Sequence, residues 1–230
     1  MSRLRFPKFQ FRENWVLAEY NDRESNAVST YFDKIDFNKL PDSFVIKTNH
    51  GSKWQYIIKN KEKYLKNEQL IDLTKYQITN WLSLNFGFFC GFELNYQNIE
   101  PKILIEPLMR EQINIPCDEI QVFCFSGKPE LFARICGFNN NTSLYDGKLN
   151  VINDTLFNGD NNIEKSVDDL IKQTYVLSEK LAHYFQFVRI DWMIYKNKVY
   201  FEELTFTPYS GFKKNINKKF NIKLGKLMKI

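Results

Sequence analysis

The 230-residue chain has few of the residues that build metal and redox sites. It contains two histidines and four cysteines, and no two cysteines form a CxxC pair. Zinc sites need thiolate and imidazole ligands at short, regular spacing. The spacing argues against a zinc centre and favours free thiols in a reducing cytosol, at Cys90, Cys117, Cys124 and Cys136.

Long apolar runs are also missing. No stretch of about 18 consecutive apolar residues occurs, so we expect no transmembrane segment. The chain begins with MSRLRFPKFQFRENW, which is basic and aromatic but lacks the apolar core of a signal peptide. We interpret this start as a solvated arm, with contact to a membrane surface or a partner as the alternative. A cytoplasmic location is expected.

The charge balance is only mildly basic. There are 32 Lys and Arg residues against 27 Asp and Glu, which leaves a net charge of +5. This suits an anionic ligand such as a nucleotide or an acidic glycan. The basic residues are dispersed, however, and only KKNINKK at 213–219 forms a real cluster. We therefore expect no nucleic-acid partner.

Hydrophobic patterning predicts a mixed fold. Apolar runs bounded by turn residues indicate strands, and apolar residues at three- and four-residue steps indicate helices. Strands are predicted at 43–47, 54–60, 102–107, 119–125, 129–138, 187–195 and 199–206, and helices at about 72–86 and 163–184. These elements do not alternate strictly as βαβ units, which favours an α+β fold with largely antiparallel sheets.

Two acidic residues interrupt the apolar strands near the C-terminal end, Asp191 and Glu203. Side chains alternate along a strand, so Arg189 and Asp191 share one face of the first strand. A three-residue loop, 196–198, would then place Asp191 opposite Glu203 and Arg189 opposite Thr205. Directly opposed side chains have Cβ atoms about 4.5–5.5 Å apart.

Two carboxylates at that separation repel each other unless a cation lies between them. Mg²⁺ takes one or two carboxylates together with phosphate oxygens, and Arg189 on the same face could add charge for a phosphoryl group. Two alternatives stay open. Arg189 could form a plain salt bridge on a surface hairpin, and a two-residue turn would pair Asp191 with Glu202 instead of Glu203.

Four stretches of the chain together resemble the ATP-grasp superfamily, and more closely its TupA-like branch, named for a protein of teichuronopeptide biosynthesis. They are IDFNKLPDSFVIKTNHGS, ILIEPL, FCFSGKP and FEELTFTPYSG. The resemblance runs from about residue 35 to the C-terminus. It implies two α+β lobes with ATP bound between largely antiparallel sheets. The expected domains are a reduced pre-ATP-grasp region at 1–41 and an ATP-grasp domain at 42–230, with lobes 42–105 and 106–230.

The resemblance also implies nucleotide-binding residues in the first half of the chain. Lys47 resembles the lysine that contacts the phosphates and takes part in catalysis. The flexible phosphate loop would be His50, Gly51 and Ser52. The residues Glu106 to Leu108 resemble the hinge that hydrogen-bonds adenine, and Asp118 stands where an acid often meets the ribose.

The second half of the chain would supply the catalytic arginine and the metal ligands. Arg189 resembles the arginine that steadies the acyl phosphate. Asp191 and Glu203 resemble the Mg²⁺ carboxylates, and Thr205 stands where many ATP-grasp enzymes carry an asparagine ligand. One departure lies in the loop, where Lys53 replaces the usual second glycine.

The family implies an ADP-forming carboxylate–amine ligase that uses Mg²⁺ and ATP and proceeds through an acyl phosphate. The branch suggests a role in surface polysaccharide, capsule or glycopeptide biosynthesis. The substrates would be a small-molecule or glycan carboxylate and an amine or amino acid, and a partner protein could complete the acceptor site. The alternatives are phosphoryl or glycosyl transfer to a glycan, and a nucleotide-binding protein without catalysis.

Overall fold

A computed structural model describes residues 16–18, 32–89, 93–108, 118–135, 142–152, 168–195, 197–211 and 218–228. The chain divides into two compact units, Arg12–Gln112 and Ile113–Ile230 together with Met1–Phe11. Each unit contains one antiparallel sheet. The domain boundaries expected from the sequence stay a prediction.

The described strands and helices alternate irregularly along the chain. The strands are β1 (Val16–Ala18), β2 (Phe44–Thr48), β3 (Gln55–Ile58), β4 (Ile103–Pro107), β5 (Asp118–Phe125), β6 (Lys128–Ile135), β7 (Thr142–Asp146), β8 (Val151–Ile152), β9 (Phe187–Tyr195) and β10 (Lys198–Thr205). The helices are α1 (Lys61–Leu65), α2 (Glu68–Ser83), α3 (Phe86–Phe89), α4 (Asp169–Ala182) and α5 (Lys218–Gly225).

The N-terminal unit holds a four-stranded sheet in the order β1-β4-β2-β3. Alternation along β2 separates its two faces. Phe44 and Ile46 are fully buried in the core on one face, where Ile78 of α2 also packs. Val45 and Lys47 therefore lie on the opposite face. The core also includes Phe32, Ile35 and Leu40, so residues just before β2 pack onto this sheet.

The C-terminal unit holds a six-stranded sheet in the order β10-β9-β5-β6-β7-β8. One face packs against α4 and forms the larger apolar core. This core consists of Ile120, Val122, Cys124, Phe132, Tyr145, Ile171, Leu181, Ala182, Val188, Ile190, Trp192 and Ile194. The Trp192 indole Nε1–H donates to Ser178 Oγ at 2.8 Å, which ties β9 to the helix.

The structure confirms the predicted α+β class and the antiparallel pairing. The start of one helix differs from the sequence expectation. α2 begins at Glu68 rather than near residue 72, because Asn67 Oδ1 accepts the Leu70 N–H and caps the helix. α4 is described from Asp169, and the first predicted residues of that helix, 163–167, lie outside the described residues.

Two further observations bear on the class of protein. Among the described residues, no helix is both long and apolar enough to cross a membrane. Cys124 is a free thiol buried under α4. The other three cysteines lie outside the described residues.

The start of α4 is held by one carboxylate with two roles. Asp168 Oδ1 accepts the Ile171 N–H at 2.9 Å, which satisfies a donor of the first turn. Asp168 Oδ2 accepts from Arg134 Nη1 at 2.8 Å, which links the helix to β6. Arg134 is thus engaged in a structural ion pair. Asp169, the next residue, has a 96% exposed side chain and pairs only with Lys172 among the described residues.

We expect Asp168→Ala to lower the free energy of unfolding by about 1–2 kcal/mol, since it removes a helix cap. Asp169→Ala is the matched control, because its exposed ion pair contributes less than about 0.5 kcal/mol. Urea denaturation followed by circular dichroism measures both changes. Equal losses in the two variants would contradict the assigned role of Asp168.

Candidate active site

The turn between β9 and β10 differs from the sequence expectation. Tyr195 pairs with Lys198, so two residues form the turn, and the predicted three-residue loop at 196–198 is wrong. Asn197 adopts a φ of 59°, in the left-handed region that asparagine tolerates better than most residues. A two-residue hairpin loop typically needs such positive φ values.

A β-bulge in β10 restores the predicted pairing of the acidic residues. The register shifts between Phe201 and Glu203, which leaves Glu202 as the extra residue. Beyond the bulge, Asp191 lies opposite Glu203, and Thr205 opposite Arg189. The predicted pairing is therefore confirmed, although by a shorter turn combined with a bulge.

Four side chains of the hairpin form one hydrogen-bonded cluster, Arg189, Asp191, Glu203 and Thr205. Arg189 donates two hydrogen bonds to Asp191, from Nε to Oδ1 at 2.8 Å and from Nη2 to Oδ2 at 2.6 Å. Arg189 Nη2 also reaches Thr205 Oγ1 at 3.2 Å and Glu203 Oε1 at 3.4 Å. The Thr205 hydroxyl donates to Glu203 Oε1 at 3.1 Å.

The cluster is buried at one end and open at the other. Arg189 is 8% exposed and Asp191 2%, whereas the Glu203 side chain is 50% exposed. The salt bridge considered as an alternative is present, but it lies inside the sheet rather than on a surface hairpin. Paired charges at a buried position contribute little net stability, so the pair by itself does not account for their placement there.

Burial controls the electrostatics of the pair. Burial raises the pKa of the Asp191 carboxyl, and the nearby Glu203 adds to this, while the hydrogen bonds and positive charge of Arg189 oppose it and favour the carboxylate. Burial lowers the pKa of the Arg189 guanidinium, but the bond to Asp191 outweighs this and raises it overall. Arg189 therefore stays charged and available to an anion.

Gln121 of β5 belongs beside this cluster, and sequence reasoning missed it. It pairs with Asp191 across β5 and β9, so Gln121, Asp191 and Glu203 form one row on the same face of the sheet. Its Nε2–H donates to Glu119 Oε1 at 2.7 Å. Its Oε1 is buried and accepts no hydrogen bond from the described residues. A lone amide within the apolar run of β5 was the signal available in the sequence.

The donor atoms of this row suit a hard divalent cation. Carboxylate, amide and hydroxyl oxygens are the ligands that Mg²⁺ prefers. No group of three or more His, Cys, Asp or Glu side chains that could hold a metal occurs in the part of the chain that the structure describes. The two carboxylates, Asp191 and Glu203, would leave most coordination positions to phosphate oxygens and water. The residues therefore fit a metal–nucleotide complex better than a free ion.

A second charged pair lies on the sheet of the N-terminal unit. Lys47 Nζ contacts Glu106 Oε1 at 2.9 Å, and both side chains are largely buried. Lys47 is in β2 and Glu106 in β4, so the predicted hinge begins within a strand. The Leu108 N–H donates to the Ser43 carbonyl at 3.1 Å and is therefore already engaged in this structure.

The predicted phosphate loop follows β2 and packs against tryptophans. His50 is buried, and its Nε2 hydrogen-bonds the Trp81 carbonyl at 3.0 Å. Burial lowers the pKa of its imidazole, although bonds to backbone groups oppose this. Ser52 is exposed, and Lys53 adopts a φ of 62°, where glycine is favoured. The positive φ explains why glycine is the expected residue at the position that Lys53 occupies.

The residue predicted to contact the ribose lies at the start of a strand. Asp118 is the first residue of β5, and its backbone pairs with Ile194 of β9. The sequence expectations thus fall into separate groups. Arg189, Asp191, Glu203 and Thr205 lie together in one unit, and Lys47 and Glu106 lie together in the other.

A family model described as TupA-like ATPgrasp matches residues 18–229. The chain belongs to the TupA-like ATP-grasp family. This confirms the resemblance found in the sequence. No curated protein matches the chain.

Two solved ligase structures resemble this family member only distantly. D-Alanine-D-Alanine ligase from Helicobacter pylori is 15% identical, with a TM-score of 0.44, over 94% of this chain and 54% of that chain. The ATP-grasp ligase PsnB, complexed with a phosphomimetic variant of its minimal precursor, Mg and ADP, is 12% identical. Its TM-score is 0.39, over 94% of this chain and 52% of that one. The chain spans about half the length of both.

We expect the loop of this ATP-grasp chain to require glycine at position 51. A Cβ on Gly51 would lie 2.3 Å from the Trp54 ring, so Gly51→Ala should lower the free energy of unfolding by about 1–3 kcal/mol. Gly225→Ala is the control, because its Cβ would meet no atom within 4 Å. Thermal denaturation compares the two variants, and an unchanged melting temperature in Gly51→Ala would refute the close packing.

Proposed function

We propose that the chain is a Mg²⁺- and ATP-dependent carboxylate–amine ligase that forms an amide through an acyl phosphate. The observation that carries this is the buried cluster of Arg189, Asp191, Glu203 and Thr205 on adjacent strands. Membership of the TupA-like family adds the substrate context, which would be surface polysaccharide or glycopeptide biosynthesis.

Asp191 and Glu203 would hold Mg²⁺, with Thr205 beside them. The ion would neutralise charge on the phosphate oxygens. A carboxylate has about four lone-pair sites, so Asp191 can keep both bonds to Arg189 and still accept a metal. The Glu203 side chain is half exposed, and both of its bonds to the cluster, from Arg189 at 3.4 Å and Thr205 at 3.1 Å, reach the same oxygen, Oε1. The Oε2 atom is not used in these two bonds and would face a ligand.

Arg189 would stabilise the negative charge of the transferring phosphoryl group. Its contacts with the cluster use Nε and Nη2, and Nη1 donates to none of the described residues. The guanidinium is buried and held by Asp191, so it is positioned before a ligand arrives. Preorganised donors of this kind stabilise developing charge without reorganising during the reaction.

Lys47 would contact the phosphates from the N-terminal unit. Among the described residues, Lys47 Nζ donates one hydrogen bond, to Glu106, which holds the ammonium group in place. An ammonium group has three N–H donors, so two would remain for phosphate oxygens. Glu106 has a supporting role here, in addition to the adenine contact expected from the family.

The reaction balances without any further reagent. A carboxylate oxygen attacks the γ-phosphorus of ATP, the new C–O–P linkage forms, and ADP leaves with the electrons of the broken P–O bond. The amine nitrogen then attacks the carbonyl carbon, the C–N bond forms, and inorganic phosphate leaves. The amine proton passes to solvent. Positioning and charge neutralisation account for most catalysis in such phosphoryl transfers.

The decisive measurement is calorimetric binding of ATP with and without Mg²⁺. We expect Glu203→Gln to weaken the Mg²⁺-dependent binding by about tenfold, since loss of one carboxylate removes one metal ligand. Asp169→Asn, on the exposed side of α4, is the matched control and should bind normally. Absence of ATP binding to the wild type under both conditions would refute the proposal.

Turnover separates the remaining alternatives. With a carboxylate and an amine as substrates, we expect ADP release coupled to amide formation, and loss of both in Asp191→Asn. An ATP-dependent product without an amide would indicate phosphoryl or glycosyl transfer. Normal ATP binding without turnover on any substrate would indicate a protein that binds nucleotide without catalysis.

Gln121 gives an independent test of the metal row. We expect Gln121→Met to weaken Mn²⁺ binding in the presence of ATP by about tenfold, because groups around metal ligands commonly contribute that much. Binding of ATP without metal should not change. Electron paramagnetic resonance of Mn²⁺ measures the first quantity and calorimetry the second. Unaltered Mn²⁺ affinity would exclude the Gln121 Oε1 from the metal site.

A further inference from the structure

A largely apolar pocket of about 400 Å³ lies in the C-terminal unit, on the sheet face opposite α4. Its described lining comes from β5, β6, β9, the segment after β10, and α5 with the residues that directly follow it. The lining residues are Phe123, Phe125, Leu131, Phe187, Phe206, Thr207, Pro208, Tyr209, Gly211, Asn221, Leu224, Gly225 and Met228. None of the sequence expectations for the site included this pocket.

The pocket lies beside Arg189, the proposed phosphoryl-stabilising residue. Phe187 and Arg189 are two residues apart on β9 and therefore share a face, with their Cα atoms about 7 Å apart. Phe123, another lining residue, pairs directly with Arg189 across β5 and β9. Tyr209 lines the pocket and places its ring centroid 5.8 Å from the guanidinium carbon of Arg189. The pocket therefore lies next to Arg189, although Arg189 is not itself among the described lining residues.

The wall nearest Arg189 adopts a strained backbone. Tyr209 and Ser210 have φ values of 55° and 52°, and Gly211 follows at 74°. Consecutive non-glycine residues rarely occupy this left-handed region, and such strain concentrates at functional sites. The Ser210 N–H donates to the Thr207 carbonyl at 2.9 Å and holds the turn. The turn keeps the Tyr209 ring against Arg189.

We infer that this pocket binds the carboxylate substrate of the ligase, and that this substrate carries an aliphatic or aromatic group. The inference rests on the proposed function. The carboxylate would meet the positive charge of Arg189, and its apolar group would lie among the phenylalanine rings. The glycan of the proposed pathway would then supply the amine.

The chemistry of the lining favours an apolar group over a sugar. Thr207 and Asn221 are the polar side chains other than Tyr209 in the described lining. A uronic acid would bury several hydroxyls with few partners, which is unfavourable. A cavity on the order of 150 Å³ accommodates benzene. The pocket of about 400 Å³ thus has room for a phenyl ring and a short alkyl chain.

The test compares 3-phenylpropionate with glucuronate as calorimetric ligands of the full chain. We expect the wild type to bind 3-phenylpropionate more tightly than glucuronate. Gly225 lines the pocket, and its Cβ would meet no atom within 4 Å, so Gly225→Leu should fill part of the space without displacing neighbours. The variant should bind 3-phenylpropionate about tenfold more weakly, as expected for a change of a few methylenes in an apolar pocket.

Gly225→Ala is the matched control and should retain both affinity and melting temperature. The affinity for Mg²⁺-ATP should be the same in all three proteins, because the metal cluster is untouched. Tighter binding of glucuronate, or equal affinities in Gly225→Leu and the wild type, would overturn the inference. Failure of the wild type to bind ATP would refute the ligase proposal instead, and the 3-phenylpropionate result would still decide whether the pocket binds such carboxylates.

Discussion

The buried contact between Arg189 and Asp191 is the interaction on which the candidate site depends. Both residues lie in β9, a strand covered on each side by a neighbouring strand. Each charge is satisfied chiefly by the other, and loss of one partner would leave a buried charge at a cost of about 3–5 kcal/mol. The pair therefore holds the guanidinium in a fixed position. Glu203 and Thr205 gather around that position on one side, and Gln121 lies on the other.

β9 separates structural and chemical roles by simple alternation. Val188, Ile190 and Trp192 pack toward α4 and form the core. The opposite face changes from polar to apolar along the strand, from the oxygen-rich row at Asp191 to the apolar pocket near Phe187. Because successive side chains on one face are about 7 Å apart, a small ligand can span the change from polar to apolar within one or two residues.

Much of the fold and of the site was predictable from residues close together in sequence. Apolar runs and turn residues located most described strands, and alternation placed Arg189 and Asp191 on one face. The helix cap was not recognised in the sequence, and α2 begins earlier than predicted because Asn67 acts as its N-cap. The hairpin register was open from the sequence, since turn length and bulges both change which residues face each other. The two-residue turn and the bulge at Glu202 offset one another.

The family, the α+β class and the acidic pair were readable from the amino-acid sequence, because these depend on residue type and order within short segments. Only the tertiary structure placed Gln121 beside Asp191 and joined Phe123, Phe187 and Tyr209 into one pocket. These residues come from segments far apart in the chain. Their meeting depends on strand register and on packing across the sheet, which are long-range properties that a local pattern does not encode.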